Sequence, residues 1–163
     1  MILLCYDGSD DAEAALQLTT KLFASQPVTV LAVWEPYTEI MAHENWGLAL
    51  GYAPPAEDIE RVDASVREHA DGAARDAVRR LGEAGITAQA RVEAMESSVA
   101  ASVQAVAQEI GADAIVLGTR GRSGLKSLLL GSVSHAVLQH ADRPVVVVPS
   151  EPVAHERRGG ARR

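Results

Sequence analysis

The sequence predicts a single α/β domain of the doubly wound type, in which a five-stranded parallel sheet carries helices on both faces. The chain has 163 residues, a length that suits one domain. Short aliphatic runs alternate along it with stretches of helical spacing, in the order βαβαβαβαβ. Such alternation is typical of a parallel sheet with right-handed crossovers. Because 47% of the residues are hydrophobic and only 4% are aromatic, we expect an aliphatic core.

The first two strands are predicted from apolar runs near the start of the chain. Ile2–Tyr6 is the first run, and Asp7-Gly8-Ser9-Asp10 after it has the composition of a turn and a helix N-cap. The helix that follows has apolar residues on one side, at Ala12, Ala15, Leu16, Leu22 and Phe23. Pro27 then precedes Val28–Val33, the second predicted strand.

A long loop is predicted over Glu35–Pro55, where prolines, glycines and aromatic residues occur together. An Ω-loop packed on its own side chains and a lid or partner surface are both open interpretations. From Ala56 the apolar spacing is helical as far as Leu81, and Gly82 and Gly85 are expected to end that helix.

The second half of the chain predicts three more strands. Ile86–Val92 alternates apolar and polar residues, which favours an edge strand. Ser97 or Ser98 is expected to cap the next helix, and Ala114–Leu117 is the fourth strand. Four valines, Val145–Val148, form the fifth strand between two prolines. Residues 150–163 show no periodicity and are predicted to be a disordered basic tail.

A glycine-rich segment, Gly118–Ser134, connects the fourth strand to the next helix and reads GTRGRSGLKSLLLGSVS. Its glycines allow positive φ or close backbone approach, and Ser132 and Ser134 are candidate caps. A helix N-terminus after such a loop is a site suited to phosphate. Neither GxxxxGK[ST] nor GxGxxG is present. A surface loop without a ligand is the alternative, which the combination of four glycines, two hydroxyls and a helix start disfavours.

The spacing of the glycines in this segment resembles the ATP-binding motif of the universal stress protein family. The pattern is Gly118, two residues, Gly121, nine residues and then Gly131-Ser132. The similarity covers residues 1–149, and it implies the strand order 3-2-1-4-5. In that order the winding reverses between strands one and four, where open α/β sheets bind their ligands. The predicted edge position of strand three agrees with the implied order.

The resemblance implies a set of nucleotide-binding residues. Asp7 and the backbone of Cys5 and Tyr6 would line the ribose and base, and Val33 would touch adenine. The ribose and phosphates would lie on Gly118, Thr119, Gly121, Gly124, Gly131, Ser132, Val133 and Ser134, with Arg120, Arg122 and Lys126 supplying positive charge. Two departures from the family are Tyr6, expected to narrow the base pocket, and Ala94-Met95-Glu96 where many members have a glycine-containing turn.

The sequence carries no sign of a catalytic or metal centre. The histidines have no metal-ligand spacing, and the nucleophile motif GxSxG does not occur. Asp10 and Asp11 lie at a helix start, where the helix dipole accounts for them. Any metal is expected to be Mg²⁺ held by the phosphates of ATP and by water, with Asp7 as its only protein ligand candidate.

Composition excludes several other functions. The formal charge of −7 argues against general binding of nucleic acid. One cysteine, Cys5, excludes an internal disulfide, and neither a signal peptide nor a membrane span is evident, so a cytoplasmic protein is expected. We therefore predict an ATP-binding regulatory protein that changes its surface for an unidentified protein partner. The alternatives are a slow ATPase and an interaction protein that does not use ATP.

A homodimer is also predicted, through Val145, Val146, Val147 and Val148. The implied strand order puts this apolar strand at an edge of the sheet, where it invites pairing with another chain. An antiparallel pair about a two-fold axis is also the dimer that the family resemblance implies. The alternative is that helices on both faces bury the valines.

Overall fold

A computed structural model describes residues 1–43, 54–121 and 130–160. The strands are β1 (Ile2–Cys5), β2 (Val28–Trp34), β3 (Ala88–Ala94), β4 (Ala114–Gly118) and β5 (Val145–Val148). All neighbouring strands pair in parallel, in the order β3-β2-β1-β4-β5. The predicted fold class, the strand order and the edge position of the third strand are therefore confirmed.

The helices are α1 (Asp10–Leu22), α2 (Tyr37–His43), α3 (Ala56–Glu83), α4 (Val99–Glu109), α5 (Ser132–His140) and α6 (Glu151–Gly160). Two predicted N-caps are confirmed. The Ser9 hydroxyl accepts a hydrogen bond from Ala12 N at 3.2 Å, and the Ser98 hydroxyl accepts one from Ala101 N at 3.1 Å. Among the described helices, none combines the length and the apolar character that a membrane crossing requires.

The sheet separates two hydrophobic cores. Alternate residues of each buried strand face opposite sides, as the two-residue period of a strand requires. Leu4, Val30 and Val116 pack with α1 and α3, whereas Leu3, Leu31 and Ile115 pack with α4 and α5. Every one of these six side chains is at most 1% exposed. We call the two sides the α1/α3 core and the α4/α5 core.

The third strand begins two residues later than predicted. Ile86 belongs instead to the end of α3, where Gly85 has a φ of 79° and Ile86 N donates to Leu81 O at 2.9 Å. A second bond, from Gly85 N to Gly82 O, completes a Schellman motif. Ile86 is therefore buried as the hydrophobic residue that closes the helix, and pairing with β2 starts at Ala88.

The segment Glu35–Pro55 is only partly irregular. It contains α2, and Tyr37 N at the start of that helix donates to the Asp63 carboxylate of α3 at 2.7 Å. The prediction of a loop is wrong for Tyr37–His43 because this stabilising acceptor lies 26 residues further along the chain. Residues 44–53 lie outside the described residues, and so do the aromatic side chains Trp46 and Tyr52.

The prediction of a disordered tail is wrong for Glu151–Gly160, which form α6. Val153 is only 8% exposed, so this helix has one apolar side chain fixed against the domain. Ala154 N donates to Ser150 O at 2.9 Å in the first turn. A single buried valine produces no periodic apolar pattern, which is why the sequence did not indicate the helix. Residues 161–163 lie outside the described part.

A charged cluster joins α1 to α3 at the margin of the α1/α3 core. Arg80 donates to both carboxylate oxygens of Glu13, with Nη1 at 2.6 Å from Oε2, and the Tyr6 hydroxyl donates to Oε2 at 3.3 Å. The Arg80 bonds are the main cause that lowers the pKa of Glu13 to about 2. Burial, followed by the Glu13 charge, raises the pKa of Tyr6.

We expect Glu13→Gln to lower the free energy of unfolding by about 1–2 kcal/mol at pH 7, since it weakens charge-assisted hydrogen bonds. The native pKa of Glu13 lies below the ordinary value of 4.5, so its contribution is full above that pH and is lost as the pH falls towards 2. Urea unfolding between pH 7 and pH 3 should show the two proteins converging. Glu60→Gln on the exposed face of α3 is the control, and a difference independent of pH would contradict the prediction.

Candidate functional site

A cavity of about 420 Å³ opens where β1, β2 and β4 end. β1 and β4 are neighbours although β2 follows β1 in the chain, so the winding of the sheet reverses between them. Ligands of open α/β sheets bind in the crevice at the carboxyl ends of the strands at this position. The cavity is therefore located where the fold class leads us to look for a ligand.

Twelve of the predicted nucleotide-binding residues line this one cavity. They come from the ends of β1, β2 and β4 and from the start of α5: Cys5, Tyr6, Asp7, Val33, Gly118, Thr119, Arg120, Gly121, Gly131, Ser132, Val133 and Ser134. The other predicted positions, Arg122 and Gly124, lie outside the described residues, as does Lys126. The end of β1 and the glycine-rich segment are more than a hundred positions apart in the chain, yet both line this cavity.

The three described glycines of the loop allow close packing of the backbone, and the prediction of positive φ is wrong for them. A Cβ on Gly118 would lie 2.7 Å from the backbone carbon of Asp11, so this glycine lets the start of α1 pack on β4. A Cβ on Gly121 would lie 2.8 Å from Asp7 Oδ2, and one on Gly131 would lie 3.2 Å from Thr119 O. Each glycine therefore lies close to a different neighbour.

The N-terminus of α5 forms one end of the cavity. Gly131 is its N-cap, so the prediction that a serine caps this helix is wrong. The first backbone bond of the helix runs from His135 N to Gly131 O, which leaves the N–H groups of Ser132, Val133 and Ser134 without acceptors inside the helix. These N–H groups and the helix dipole favour an anion at this end.

The Ser134 side chain belongs to the scaffold. It is 2% exposed, and its hydroxyl donates to Thr119 O at 2.7 Å, with Gly131 O a further acceptor at 3.0 Å. Gly131 N also donates to Thr119 O at 2.8 Å. The two ends of the loop are thereby closed on each other, and Ser134 can offer a ligand only its backbone N–H.

Asp11 holds three segments of the chain together. It is 5% exposed, and its two carboxylate oxygens accept from Arg120 N and from Ser150 N, each at 3.0 Å. The start of α1, the glycine loop and the start of α6 therefore meet at one carboxylate. The helix dipole accounts for Asp10, which is exposed, but it does not account for Asp11. No sequence motif marks this role.

Tyr6 and Cys5 face opposite sides of the sheet. The Tyr6 ring packs in the α1/α3 core, so the prediction that it narrows the base pocket is wrong for its side chain. Cys5 packs with the α4/α5 core and lines the cavity. Burial, and secondarily the Asp7 carboxylate, raises the pKa of the Cys5 thiol to about 12, so it is protonated at neutral pH.

The part of the cavity that β2 and α4 line is largely apolar. Leu31 and Val33 of β2 and Val99 and Val103 of α4 contribute to it, and Glu35 after β2 adds a carboxylate. Four of these five residues were not predicted as site residues, because the helical spacing of α4 and the aliphatic run of β2 are also what an ordinary core requires. Only the strand order, which brings the end of β2 beside that of β1, could have indicated them.

Two further observations concern ligands. The Thr119 side chain is fully buried, and within the described residues its Oγ1 is the single buried side-chain oxygen or nitrogen without a hydrogen-bond partner. In the same part of the chain no group of three or more His, Cys, Asp or Glu side chains could hold a metal ion.

Known proteins resemble this chain in sequence and in structure. The family model of the universal stress protein family matches residues 1–149. The universal stress protein YxiE of Bacillus subtilis (strain 168) is 30% identical over 147 residues, which span 90% of this chain and 97% of that protein. The solved structure of MJ0577 from Methanocaldococcus jannaschii superposes with a TM-score of 0.72 at 26% identity, covering 91% of this chain and 94% of that chain.

A more distant solved structure adds to the evidence for the fold. The universal stress protein of Archaeoglobus fulgidus in complex with dAMP superposes with a TM-score of 0.60 at 21% identity, covering 90% of this chain and 95% of that one. The similarity to universal stress proteins, in sequence and in fold, covers nearly the whole described chain. The chain belongs to the universal stress protein family.

Proposed function

We propose that this chain is a regulatory module that binds an adenine nucleotide, ATP, in the cavity at the ends of β1, β2 and β4. The observation that supports it best is the joining of two unlike ends in one cavity, an apolar end at β2 and α4 and a helix N-terminus at α5. An aromatic base suits the first end and phosphate suits the second. Relatives of this fold have been solved with dAMP, cAMP and AMP.

The spacing of the strands supports this orientation. Two strand positions separate β2 from β4, which corresponds to about 10 Å across the sheet. A nucleoside placed across β1 would therefore put its base on Val33 and its phosphates on the N–H groups of Ser132, Val133 and Ser134. Asp7, at the end of β1, would be beside the ribose.

The fit of the phosphates rests on two features of the loop. Gly131 lines the cavity at the start of α5, and a Cβ there would lie 3.2 Å from Thr119 O, so a larger residue would push the start of α5 away from the loop. Thr119 lines the cavity, and its buried hydroxyl has no hydrogen-bond partner within the described residues, although buried polar groups in native proteins almost always have one. A nucleotide oxygen would be a partner of the required chemistry once binding uncovers this hydroxyl.

Mg²⁺ would accompany ATP through the phosphates and water. Asp7 is a carboxylate in the cavity lining, and its Oδ1 already accepts a hydrogen bond from Ser9 N at 3.0 Å. Because no described cluster of ligands supplies a metal site, we assign the ion to the nucleotide rather than to the protein.

Direct detection of the nucleotide tests the proposed function. Mass spectrometry of the purified protein should release an adenine nucleotide, and calorimetry after its removal should show ATP binding at millimolar affinity or tighter. Calorimetry without a heat of binding at millimolar ATP would contradict the proposal. Consumption of ATP at a rate near the typical enzyme value of about 10 s⁻¹ would instead favour the ATPase alternative.

We also propose a homodimer formed through β5. This strand is at the edge of the sheet, and Val145, Val146 and Val147 are only half-buried although α1 and α5 cover its faces. Ile115 N of β4 donates to Pro144 O, and Thr119 N, directly after β4, donates to Val148 O. Since backbone groups alternate along a strand, those of Val145 and Val147 point away from β4, towards a second copy.

Val147→Pro tests the dimer because it removes one outward N–H without removing a bond to β4. We expect the wild type to sediment as a dimer at micromolar concentration and Val147→Pro to sediment as a folded monomer. Val147→Ala, which keeps the N–H, is the control and should remain a dimer. A monomeric wild type, or a dimeric proline variant, would refute this assembly.

A further inference from the structure

The cavity holds one carboxylate that the proposed binding of phosphate and ribose does not use. Glu35 directly follows Trp34, the last residue of β2, and it lines the cavity at the apolar end. Its side chain is half-buried, and within the described part of the chain its carboxylate has neither a hydrogen bond nor an ion pair. An acceptor in this position can be satisfied by a donor on the ligand.

The surroundings of Glu35 favour a ligand that supplies a hydrogen-bond donor. Leu31, Val33, Val99 and Val103 supply the neighbouring wall, and none of them offers a side-chain donor. Asp7 also places a carboxylate in the cavity lining, and its Oδ1 accepts a hydrogen bond from Ser9 N. A charge beside apolar surface is costly unless it is hydrogen-bonded, so a ligand that donates there is favoured over one that presents an acceptor.

Purine bases differ in whether they can donate a hydrogen bond to this carboxylate. An ionised carboxylate accepts hydrogen bonds and cannot donate them. Adenine carries an amino donor at position 6, whereas guanine carries an oxygen acceptor at the same position. We infer that Glu35 accepts a hydrogen bond from the 6-amino group and so selects adenine over 6-oxo purines, an inference that rests on the proposed nucleotide site.

Phosphate is disfavoured at this end by the same charge. Glu35 would repel an anion, while the N-terminus of α5 attracts one at the far end. Glu35 therefore also determines which way round the nucleotide enters. It acts as a specificity residue, and no chemical step depends on it.

ATP and ITP, the hypoxanthine analogue, form the test pair because they share ribose and phosphates and differ in the base. Calorimetry on the nucleotide-free wild type should give ATP an affinity at least about tenfold higher than that of ITP, a difference typical of one base contact. Glu35→Gln should bring the two affinities within about twofold, because a carboxamide can either donate or accept.

Glu96→Gln is the matched control. Glu96 lies two residues after the end of β3, near the same end of the sheet as Glu35, which directly follows β2. Glu96→Gln therefore removes the same charge there, but Glu96 does not line the cavity. We expect its ATP-to-ITP ratio to equal that of the wild type. Circular dichroism and thermal unfolding of each variant confirm that it is folded before binding is compared.

The outcomes separate this inference from the proposed function. If the wild type binds neither nucleotide, the proposed function fails and the role of Glu35 falls with it. If ATP binds but Glu35→Gln leaves the ratio unchanged, only the inference is overturned. A wild-type preference for ITP or GTP would also overturn it, since the carboxylate would then accept from the N1–H group of an oxo purine.

Discussion

Gly131→Val is expected to abolish ATP binding while leaving the chain folded. A Cβ at this position would be 3.2 Å from Thr119 O and 3.4 Å from the Cα of Arg120, so its neighbours must shift by a few tenths of an ångström. That shift would change the position of the N–H groups at the start of α5 relative to the loop. Losing two charge-assisted hydrogen bonds of about 1.5–3 kcal/mol each weakens binding more than a hundredfold.

The backbone of Gly131 does not prevent the substitution. Its φ of −69° and ψ of 163° are extended values that valine adopts readily, and its N–H can still donate to Thr119 O. The dihedral angles of Gly131 therefore suit valine, and thermal unfolding of the variant shows whether a loss of binding is separate from a loss of folding. Gly72→Val is the control, since Gly72 is exposed on α3 with no atom within 4 Å of an added Cβ. Calorimetry showing unchanged ATP affinity in Gly131→Val would refute the phosphate site.

Asp11→Ala is expected to lower the free energy of unfolding by about 2–4 kcal/mol, because two backbone N–H groups lose their acceptor and one of them is buried. For a chain of this size, that corresponds to a fall in melting temperature of roughly 5–15 °C. Ser150 is 6% exposed, so water cannot replace the carboxylate there without a local opening. Urea and thermal unfolding at pH 7 measure the effect.

The neighbouring residue supplies the control for Asp11. Asp10→Ala removes the same group from the same helical turn at an exposed position, where the helix dipole contributes about 0.3–1 kcal/mol. Asp11→Asn, which keeps one acceptor oxygen, should fall between the two alanine variants. Equal stability of Asp10→Ala and Asp11→Ala would mean that the bonds to Arg120 and Ser150 contribute little.

Local patterns were sufficient to predict the fold class. The aliphatic runs and the Ser98 cap depend on neighbours within a few residues, and both appear in the structure. The family resemblance supplied the strand order, which alternation alone could not. Most of the lining residues could be predicted from the sequence. The glycine motif and Asp7 lie at the ends of two strands, and those strands are neighbours where the winding of the sheet reverses.

Most of the features that the sequence did not predict depend on contacts with residues far away in the chain. The acceptor for α2 is Asp63 of α3, and Val153 of α6 is buried against parts of the domain that come earlier in the chain. Asp11 is identifiable only once the glycine loop and the start of α6 have been brought to it. The spacing of glycines likewise cannot distinguish positive φ from close packing, which are different reasons for the same residue.

The division of the interior by the sheet has a consequence for engineering. The apolar end of the cavity is built from the α4/α5 core, whereas Leu4, Leu16 and Leu81 belong to the α1/α3 core on the other side. Energetic effects of substitutions without shared contacts are nearly additive. Thermal stability can therefore be raised by repacking those α1/α3 core residues that do not line the cavity, such as Leu4, Leu16 and Leu81, with the ligand pocket left as it is.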